Sequence, residues 1–373
     1  MASVSFKNVS KTFAGASGPA LDDLNLTIAD RELAVIAGPP GSGKSTILRL
    51  LAGLEEVSQG EIAIGDRSVQ SSSPSQRELA FVGSEDALYP TMSVRENIAF
   101  GLRLRKFSAK EIERRSEDAA RALQVDALLG QQPWELSAAQ QQRVAIARAI
   151  ARQPKVLLFD GPLARLAPAE RTELRAEIRK LHERLATTMI YATRDPSEAM
   201  ALAQSVVVLR AGKVEQHDTL AAVYRMPANA HVAGFLGAPP MNFVRGKLKE
   251  DHGGLCFIEA GEGTIEFSLP LAAEEGPGDW PGKTVLLGLR PQDITIAEAK
   301  DGGGADVFPA LIDLVETLGA ETNLHLQTGA HALIARRAGR PGDEPAGRRG
   351  RFRCDPARVY LFDAETGQRI LPR

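Results

Sequence analysis

The stretch GPPGSGKST, Gly38 to Thr46, decides the fold of the first half of this chain. It fits the pattern G-x-x-x-x-G-K-[ST], in which glycines let successive backbone N–H groups surround phosphate oxygens. We expect Lys44 to reach the terminal phosphates of a nucleotide and Ser45 to ligate Mg²⁺. A helix that begins near Lys44 would turn its positive dipole end toward the same phosphates. The predicted phosphate-binding residues are Gly38, Gly41, Ser42, Gly43, Lys44, Ser45 and Thr46.

Short apolar runs on either side of this loop predict a buried sheet. Such runs, without polar alternation, are typical of strands that are covered on both faces. Between two of them, Glu173 to Leu185 places leucine and isoleucine at helical spacing. Strand, helix and strand in repetition predict a parallel sheet with right-handed crossovers. The predicted strands are Leu33 to Ala37, Leu79 to Val82, Val156 to Phe159, Met189 to Ala192 and Val206 to Leu209.

Two changes of character along the chain predict its domain organisation. Residues 107–150 are helix-rich and contain no strand-like run, so we expect a helical subdomain at about residues 85–150. After about residue 235, Gly and Pro separate short β-like segments such as Thr284 to Leu289 and Val307 to Val315. We therefore predict an α/β domain over residues 1–235 and a mostly β domain over residues 236–373. The Arg-rich, Gly-rich stretch Arg336 to Arg351 is expected to be an exposed loop.

Composition excludes several classes of function. With 45 basic and 47 acidic residues, the formal net charge is −2, which lacks the basic excess that usually marks a nucleic-acid partner. The two cysteines lie far apart, and the six histidines are scattered, so neither a disulfide framework nor a clustered metal site is expected. The N-terminal segment has no apolar stretch of the kind that signal peptides contain. We expect a cytosolic chain that reaches a membrane only through a partner.

Asp160 follows the apolar run Val156 to Phe159, which places a carboxylate at the end of a buried strand. Such a carboxylate suits the Mg²⁺ site of phosphate-loop enzymes. The next residue is Gly161, where an enzyme that hydrolyses the nucleotide might hold a second carboxylate. This departure raises the question of whether the chain hydrolyses a nucleotide or only holds one.

Four further segments carry a family resemblance. LSAAQQQRVAIARAI, Leu136 to Ile150, resembles the signature segment of ABC-transporter ATPases, and ALYPTMSVRENIAFGLR, Ala87 to Arg103, resembles the segment that docks on the membrane subunits of ABC importers. MPANAHVAGFLGAPPMNFV, Met226 to Val244, and LGLRPQDI, Leu287 to Ile294, resemble the region leading into the regulatory domain and that domain itself. Together with the phosphate loop they resemble ATP-binding subunits of bacterial carbohydrate and glycerol-phosphate importers of the maltose type.

The resemblance implies a fold and a set of ligands and partners. The fold is an α/β P-loop NTPase, a RecA-like parallel sheet with a helical subdomain, followed by an all-β TOBE or OB-like domain. The implied cofactors are ATP and Mg²⁺, with Ser45 and Asp160 at the metal and Phe13 stacked on adenine, although Phe13 taken without the resemblance could be a core residue. Ser137, Ala138, Ala139 and Gln140 would face the ATP of a second ATP-binding subunit, while Ser137 and Gln140 also match a helix capping box.

The resemblance also implies the location of the chain in the cell. Two transmembrane permease subunits would dock on the Leu88 to Phe100 region. A periplasmic solute-binding protein would act indirectly, and no nucleic acid is implied. The chain would then lie at the cytoplasmic face of the bacterial inner membrane.

The sequence departs from the family at the positions that control hydrolysis. Gly161 replaces the Glu that polarises the attacking water, and Arg194 replaces the switch His. Ser84 replaces the Gln that senses the γ-phosphate, Ala167 replaces the carboxylate of the D-loop, and Ala138 and Ala139 replace the two signature glycines. Glycine cannot take or orient a proton, and loss of a general base costs about 10²–10⁴ in rate. We therefore expect Mg-ATP binding with slow hydrolysis.

Three interpretations remain open at this point. The chain is one half of a heterodimeric importer motor whose catalytic residues come from an intact paralogue, or it is a homodimeric subunit that is inactive at both sites. The third interpretation, a soluble ABC protein of nucleic-acid repair or translation, lacks the basic footprint such a protein needs.

Overall fold

Two units make up the chain, divided between Ala221 and Ala222. The computed structural model describes residues 2–84, 88–251, 254–272, 281–297, 306–339 and 346–370. The domain boundary expected at residues 235/236 lies further along the chain than this division and stays a prediction.

The first unit is built from a six-stranded sheet, a four-stranded sheet and helices. Its strands are β1 (Val4–Lys11), β2 (Leu21–Ile28), β3 (Leu33–Ala37), β4 (Gln59–Ile64), β5 (Arg67–Ser68), β6 (Leu79–Gly83), β7 (Val156–Asp160), β8 (Thr188–Thr193), β9 (Ser205–Arg210) and β10 (Lys213–Thr219). Its helices are α1 (Lys44–Ala52), α2 (Val94–Leu104), α3 (Ala109–Ala122), α4 (Ala138–Ala151), α5 (Pro168–Leu185) and α6 (Pro196–Leu202), and α7 (Leu220–Arg225) runs across the division.

The six-stranded sheet has the order β10-β9-β3-β8-β7-β6. The pairs β3–β8, β3–β9, β6–β7 and β7–β8 are parallel, and only β10 joins antiparallel. Every residue of β3 and β8 is buried, as expected for strands covered on both faces. All five strands predicted from apolar runs are confirmed, and so are the helix that begins at Lys44 and the helix over Glu173 to Leu185, which is the later part of α5.

The four-stranded antiparallel sheet, of order β2-β1-β4-β5, was not predicted. Its strands alternate buried and exposed residues instead of forming apolar runs. In β1, for example, Val4, Phe6 and Val9 are buried between polar neighbours. A search for continuous apolar runs therefore misses these half-buried strands.

The helical region inserted between β6 and β7 contains α2, α3 and α4. Ser93, Ser108 and Ser137 cap the three helices, because each side chain accepts a hydrogen bond from the backbone N–H three residues later. Residues 85–87 of the expected helical subdomain lie outside the described residues.

The second unit is mostly β, as predicted. Helix α8 (Ala230–Phe235) precedes its strands β11 (Asn242–Asp251), β12 (Gly254–Glu259), β13 (Glu266–Ala272), β14 (Thr284–Leu289), β15 (Ile294–Ile296), β16 (Val307–Thr317), β17 (Glu321–Gln327), β18 (Ala332–Ala338), β19 (Arg349–Cys354) and β20 (Tyr360–Asp363). They form two antiparallel five-stranded sheets, β13-β12-β11-β14-β20 and β15-β19-β16-β17-β18, with one shared apolar core.

The expectation of a loop over Arg336 to Arg351 was partly wrong. Arg336 and Arg337 belong to β18, and Arg349 to Arg351 belong to β19. In β19 the arginines are tolerated because Arg349 and Arg351 are exposed while the alternate residue Phe352 is buried. Residues 340–345 lie outside the described residues.

Arg290, the first residue of the RPQD sequence, directly follows β14. Its side chain is 2% exposed and donates to the backbone carbonyls of Tyr224, Ala233 and Leu236. The guanidinium also lies 3.8 Å from the centre of the Tyr224 ring. These contacts join the helices before the sheets to the end of β14, so we assign this arginine a structural role in the second unit.

Among the helices in the described part of the chain, none has the length and apolarity that crossing a bilayer demands.

Candidate nucleotide site

A cleft of about 1020 Å³ opens at the carboxyl ends of β3, β8, β7 and β6. Ligands of open α/β sheets bind at this edge, because the loops that leave parallel strands meet there. Gly41, Lys44 and Ser45 line the cleft, together with Asp160 from the end of β7. Gly38, Ser42, Gly43 and Thr46 complete the loop and the first turn of α1.

Gly43 shows why the loop needs glycine immediately before α1. Its φ is 102°, and a Cβ at this position would lie 2.7 Å from Leu21 Cδ2 and 2.9 Å from the Ala20 carbonyl oxygen. Gly43 is the N-cap of α1, and no side chain caps the helix. The first backbone N–H groups of α1 therefore remain available to an anion, which the helix dipole also favours.

The Lys44 side chain folds back over the loop. Its Nζ donates to the Pro39 carbonyl at 2.7 Å and to Ser42 Oγ at 3.1 Å. Burial lowers the pKa of Lys44, Asp160 opposes this shift, and the positive charge of Arg194 adds to it. The phosphate loop thus holds a partly desolvated ammonium group, which an anionic ligand would stabilise.

Ser45 and Asp160 meet at the metal side of the cleft. Ser45 Oγ donates to Asp160 Oδ1 at 2.9 Å, which links the first turn of α1 to the end of β7. A hydroxyl and a carboxylate are the hard oxygen donors that Mg²⁺ prefers, and Mg²⁺ commonly takes only one or two protein ligands beside phosphate and water. The two residues therefore fit the proposed cation. When bound, it would neutralise phosphate charge.

Three of the residues that depart from the family line this cleft: Ser84, Gly161 and Arg194. Gly161 has a φ of 58°, and its N–H donates to the Ala192 carbonyl at 3.0 Å, which joins the end of β7 to β8. A Cβ at this position would meet open space, so the empty volume beside Asp160 is not filled by another group.

Ala167, another of these departures, is not among the cleft-lining residues. It is the N-cap of α5 and has no side-chain acceptor for the exposed helical N–H groups. Glu170 supplies only the reciprocal contact, because its carboxylate accepts from the Ala167 N–H at 3.1 Å. The carboxylate missing here is therefore also a missing helix cap.

The carboxylates that do line the described cleft are all engaged. Asp160 accepts from Ser45, and Asp195 accepts from Ser197 N–H as the N-cap of α6. Glu198 is buried and accepts from Tyr191 Oη at 2.8 Å and from Thr193 Oγ1 at 2.7 Å. None of the three is a free group beside the position that Gly161 leaves empty.

The sequence patterns did not indicate that Glu198 lines the cleft. Asp195 and Glu198 have the D-x-x-E spacing of a helix capping box, which predicts that Glu198 folds back onto the backbone. Its side chain instead turns toward β8. Only the burial of this charged residue, visible in the structure, distinguishes the two arrangements.

The segment that resembles the ABC signature starts α4. Ser137 Oγ accepts from Gln140 N at 3.2 Å, and Gln140 Oε1 accepts from Ser137 N at 2.9 Å, so the capping box is formed. Ala138 and Ala139 are the first residues of the helix and have no positive φ. The strain that alanine would suffer at a left-handed position is therefore absent.

Phe13 does not line the cleft. Its ring is 38% exposed, and Lys11 Nζ lies 4.8 Å from the ring centre. The segment that follows Phe13 reaches the phosphate loop, because the Ala20 carbonyl lies close to Gly43. The ring is thus exposed rather than part of the core, and stacking on adenine stays a prediction.

A second groove of about 530 Å³ runs along the segment expected to dock on membrane subunits. Its lining includes Tyr89, Phe100 and Leu104, and the Tyr89 and Phe100 rings lie 4.5 Å apart. Buried Asn97 fixes this segment, because Oδ1 accepts from Tyr89 N at 2.8 Å and Nδ2 donates to the Met92 carbonyl at 2.9 Å. Ala87, the first residue of the expected docking segment, lies outside the described residues.

Comparison with known families agrees with this arrangement. Residues 21–164 match the ABC transporter family, residues 237–294 match the MalK OB fold domain, and residues 287–362 match the TOBE domain. Among solved structures, a dimeric ATP-binding cassette in a post-hydrolysis state with ADP and Pi is 29% identical, with a TM-score of 0.52. It covers 58% of this chain and 98% of its own. The cbiO1 subunit from Clostridium perfringens is 26% identical with a TM-score of 0.56, over 60% of this chain and 90% of its own.

Relatives of full length give the family assignment. The chain is 40% identical to the sn-glycerol-3-phosphate import ATP-binding protein UgpC of Bordetella avium, over 99% of both chains. It is 42% identical to the protein of the same name in Burkholderia cenocepacia, again over 99% of both chains. The chain therefore belongs to the ATP-binding subunits of ABC transporters, in the branch whose ATP-binding domain is followed by MalK-type OB and TOBE domains.

Proposed function

We propose that this chain is the ATP-binding subunit of a bacterial importer for carbohydrates or glycerol-phosphate-type solutes, and that it holds Mg-ATP while hydrolysing it slowly by itself. The solute class rests on the printed function of the relatives. The holding role rests on the residues of the cleft. The chain would act at the cytoplasmic face of the inner membrane, attached through permease subunits.

One observation carries the proposal of slow hydrolysis. The residue that follows Asp160 is a glycine, and the three carboxylates that line the described cleft are each occupied by another contact. A general base must lie within hydrogen-bond reach of the water whose proton it takes. With Arg194 in place of histidine, the cleft also has no group there that shares and returns a proton near neutral pH.

The binding side of the site, in contrast, keeps the groups it needs. Lys44, Ser45 and Asp160 meet at the cleft, and the N-terminus of α1 is uncapped. Loss of catalytic groups without loss of binding groups favours a subunit in which ATP acts as a clamp.

A second ATP-binding subunit is the proposed partner, and we favour an intact paralogue. The capping box at Ser137 and the helical conformation of Ala138 and Ala139 support this, because the start of α4 can still present backbone N–H groups to a partner's nucleotide. If the partner were a second copy of this chain, both composite sites would lack the carboxylate at position 161. Mixing the purified chain with the intact paralogue separates the two cases: phosphate release by the mixture beyond that of the paralogue alone supports the heterodimer.

The permease subunits are proposed to dock in the groove beside Tyr89. Leu54 and Leu104 line it and are 58% and 68% exposed, which marks an apolar surface that a partner would cover. We expect Leu104→Glu to reduce co-purification with the membrane subunits. Leu318→Glu is the matched control, since Leu318 is 51% exposed and lies in the second unit. Equal recovery of both variants with the membrane subunits would contradict this docking site.

Calorimetry tests nucleotide holding directly. We expect the wild-type chain to bind Mg-ATP and Lys44→Ala to bind it much more weakly, because a charge-assisted hydrogen bond contributes about 1.5–3 kcal/mol. Absence of Mg-ATP binding by the folded wild-type chain would contradict the proposal.

A further inference from the structure

Lys11 contacts the exposed ring of Phe13 from one side. The Lys11 ammonium lies over the face of the ring, 4.8 Å from its centre, while Phe13 remains 38% exposed. A cation in this position is attracted by the electron-rich face of an aromatic ring. Because the ammonium covers one face, the opposite face of the ring is the one open to a flat ligand.

The ammonium is itself held in place, which distinguishes Lys11 from a mobile surface lysine. Lys11 is 9% exposed, its Nζ donates to the Glu56 carbonyl at 2.7 Å, and the same atom lies 3.2 Å from a carboxylate oxygen of Glu55. Ordering a lysine side chain costs conformational entropy, which these contacts offset. The cation therefore has a fixed position from which it orients the ring.

The surrounding contacts connect the ring to the phosphate loop. Glu56 follows the end of α1, the helix that begins at that loop. Thr12 N–H donates to Ser58 Oγ at 3.1 Å. The Lys11 carbonyl accepts from the N–H of Ala20, whose own carbonyl lies beside the phosphate loop. Together these contacts fix the segment that carries the ring relative to the phosphate loop.

We propose that Lys11 is a positioning residue for recognition of the nucleotide base. Its ammonium orients the Phe13 ring so that the free face of the ring stacks on the base of a nucleotide whose phosphates lie at Lys44. This inference rests on the proposed nucleotide-holding function and on the predicted stacking of Phe13, and it adds a residue that touches neither base nor phosphate. Because Lys11 acts through the ring, it contributes only to ligands that contain a base.

The test compares the affinities for ATP and for tripolyphosphate, which has the phosphates without the base. Calorimetry on the full chain in Mg²⁺ measures both. We expect Lys11→Met to weaken ATP binding by about threefold to tenfold, the size of one cation–π contact, and to leave tripolyphosphate binding unchanged. Lys11→Arg keeps a cation and should recover part of the ATP affinity. Lys7→Met, which removes an exposed ammonium from the same strand, is the control for net charge.

A double-mutant cycle with Phe13→Ala separates positioning from a structural role. Phe13→Ala should weaken ATP binding at least as much as Lys11→Met does, and adding Lys11→Met should cause no further loss, because the ring through which Lys11 acts is gone. A residue that only stabilised the fold would weaken ATP and tripolyphosphate binding alike, with or without the ring. Lys11→Arg undergoes the same cycle, so the test does not depend on the folding of Lys11→Met alone.

The outcomes also separate this inference from the proposed function. If the folded wild-type chain binds neither ATP nor tripolyphosphate, the proposed function fails, and the inference fails with it. If the wild type binds both, but Phe13→Ala or Lys11→Met leaves the ATP affinity unchanged, only the inference is overturned. Equal loss of ATP and tripolyphosphate affinity in Lys11→Met overturns it as well. A loss that is confined to ATP and absent from the Phe13→Ala background supports it.

Discussion

At the scale of single residues, Gly161 is the centre of the account. It is a glycine at a φ of 58°, next to Asp160 and tied to β8 through the Ala192 carbonyl. Because glycine has no side chain, this position contains no proton acceptor. The positive φ of its backbone is one that other residues adopt only with strain. Restoring the missing carboxylate is therefore not a simple reversal.

Gly161→Glu is expected to destabilise the fold by about 1–2 kcal/mol, because an L-residue at this φ is strained. A Cβ at this position meets open space, so the strain of the backbone, and not a clash of the Cβ, causes this loss. Urea denaturation measures the loss, with Gly161→Asn as control, because asparagine tolerates the left-handed region better. An unchanged free energy of unfolding in Gly161→Glu would contradict the strain.

Hydrolysis should recover little in Gly161→Glu, because Arg194 still occupies the position of the switch histidine. Phosphate release compared with Gly161→Gln, which has the same shape without the carboxylate, measures this. Recovery to an ordinary enzymatic rate would show that Arg194 matters less than we argue.

Lys44 gives a prediction about protons. Burial lowers its pKa in the free protein, and bound phosphates would favour the charged form and raise it again. ATP binding at alkaline pH, below the ordinary lysine pKa of about 10.4, is therefore expected to take up protons. Calorimetry in buffers of different ionisation enthalpy detects this uptake. The proton uptake should disappear in Lys44→Arg. Proton release on ATP binding by the wild type would contradict the assignment of the uptake to Lys44.

At the scale of elements, the first residues of α4 and α5 show how departures from the family affect helix capping. α4 keeps its cap at Ser137, so the change of two glycines to alanines costs no strain. α5 has lost its cap at Ala167 and retains only the contact from Glu170. Replacement of family residues at a helix start therefore leaves α4 with its side-chain cap and α5 without one.

Ala167→Asp should raise the free energy of unfolding by about 1 kcal/mol, since the carboxylate would cap α5 and interact with its N-terminal dipole. Ala167→Asn separates capping from charge and should give a smaller part of the gain at low salt. Thermal and urea denaturation measure both variants. A loss of stability in Ala167→Asp would show that the backbone at this turn does not accept a cap.

Asn97 organises the start of α2 and the groove beside it. We expect Asn97→Ala to cost about 1–3 kcal/mol, because the Tyr89 N–H loses its buried partner. The variant should also bind the membrane subunits less well, as Tyr89 lines their proposed groove. Denaturation and co-purification measure the two effects, and a loss of stability with unchanged co-purification would separate Asn97 from docking.

Sequence patterns predicted the elements whose signal is local. The phosphate loop and the strands of continuous apolar residues, such as β3, follow from neighbouring residues alone. The strands around β1 alternate buried and exposed residues, which a search for continuous apolar runs misses, and the orientation of Glu198 depends on its contacts with β8. Likewise, no local pattern indicates the positive φ of Gly161, whose N–H donates to the Ala192 carbonyl on β8.

At the scale of the whole molecule, the chain combines two units. The second unit contains two antiparallel sheets and the buried Arg290, which joins the end of β14 to α8. The first unit contains the parallel sheet, the phosphate loop and the groove, and three of the departures line the cleft at one edge of the sheet. Binding groups without a free carboxylate beside Asp160 favour the proposed subunit that works through a partner.

Steady-state phosphate release by the purified chain tests this account most directly. With saturating Mg-ATP, we predict a rate no faster than that of Lys44→Ala, since a missing general base alone lowers the rate by about 10²–10⁴. Brisk release by the wild type that Lys44→Ala abolishes would contradict the account, because some other group would then replace the carboxylate missing at Gly161.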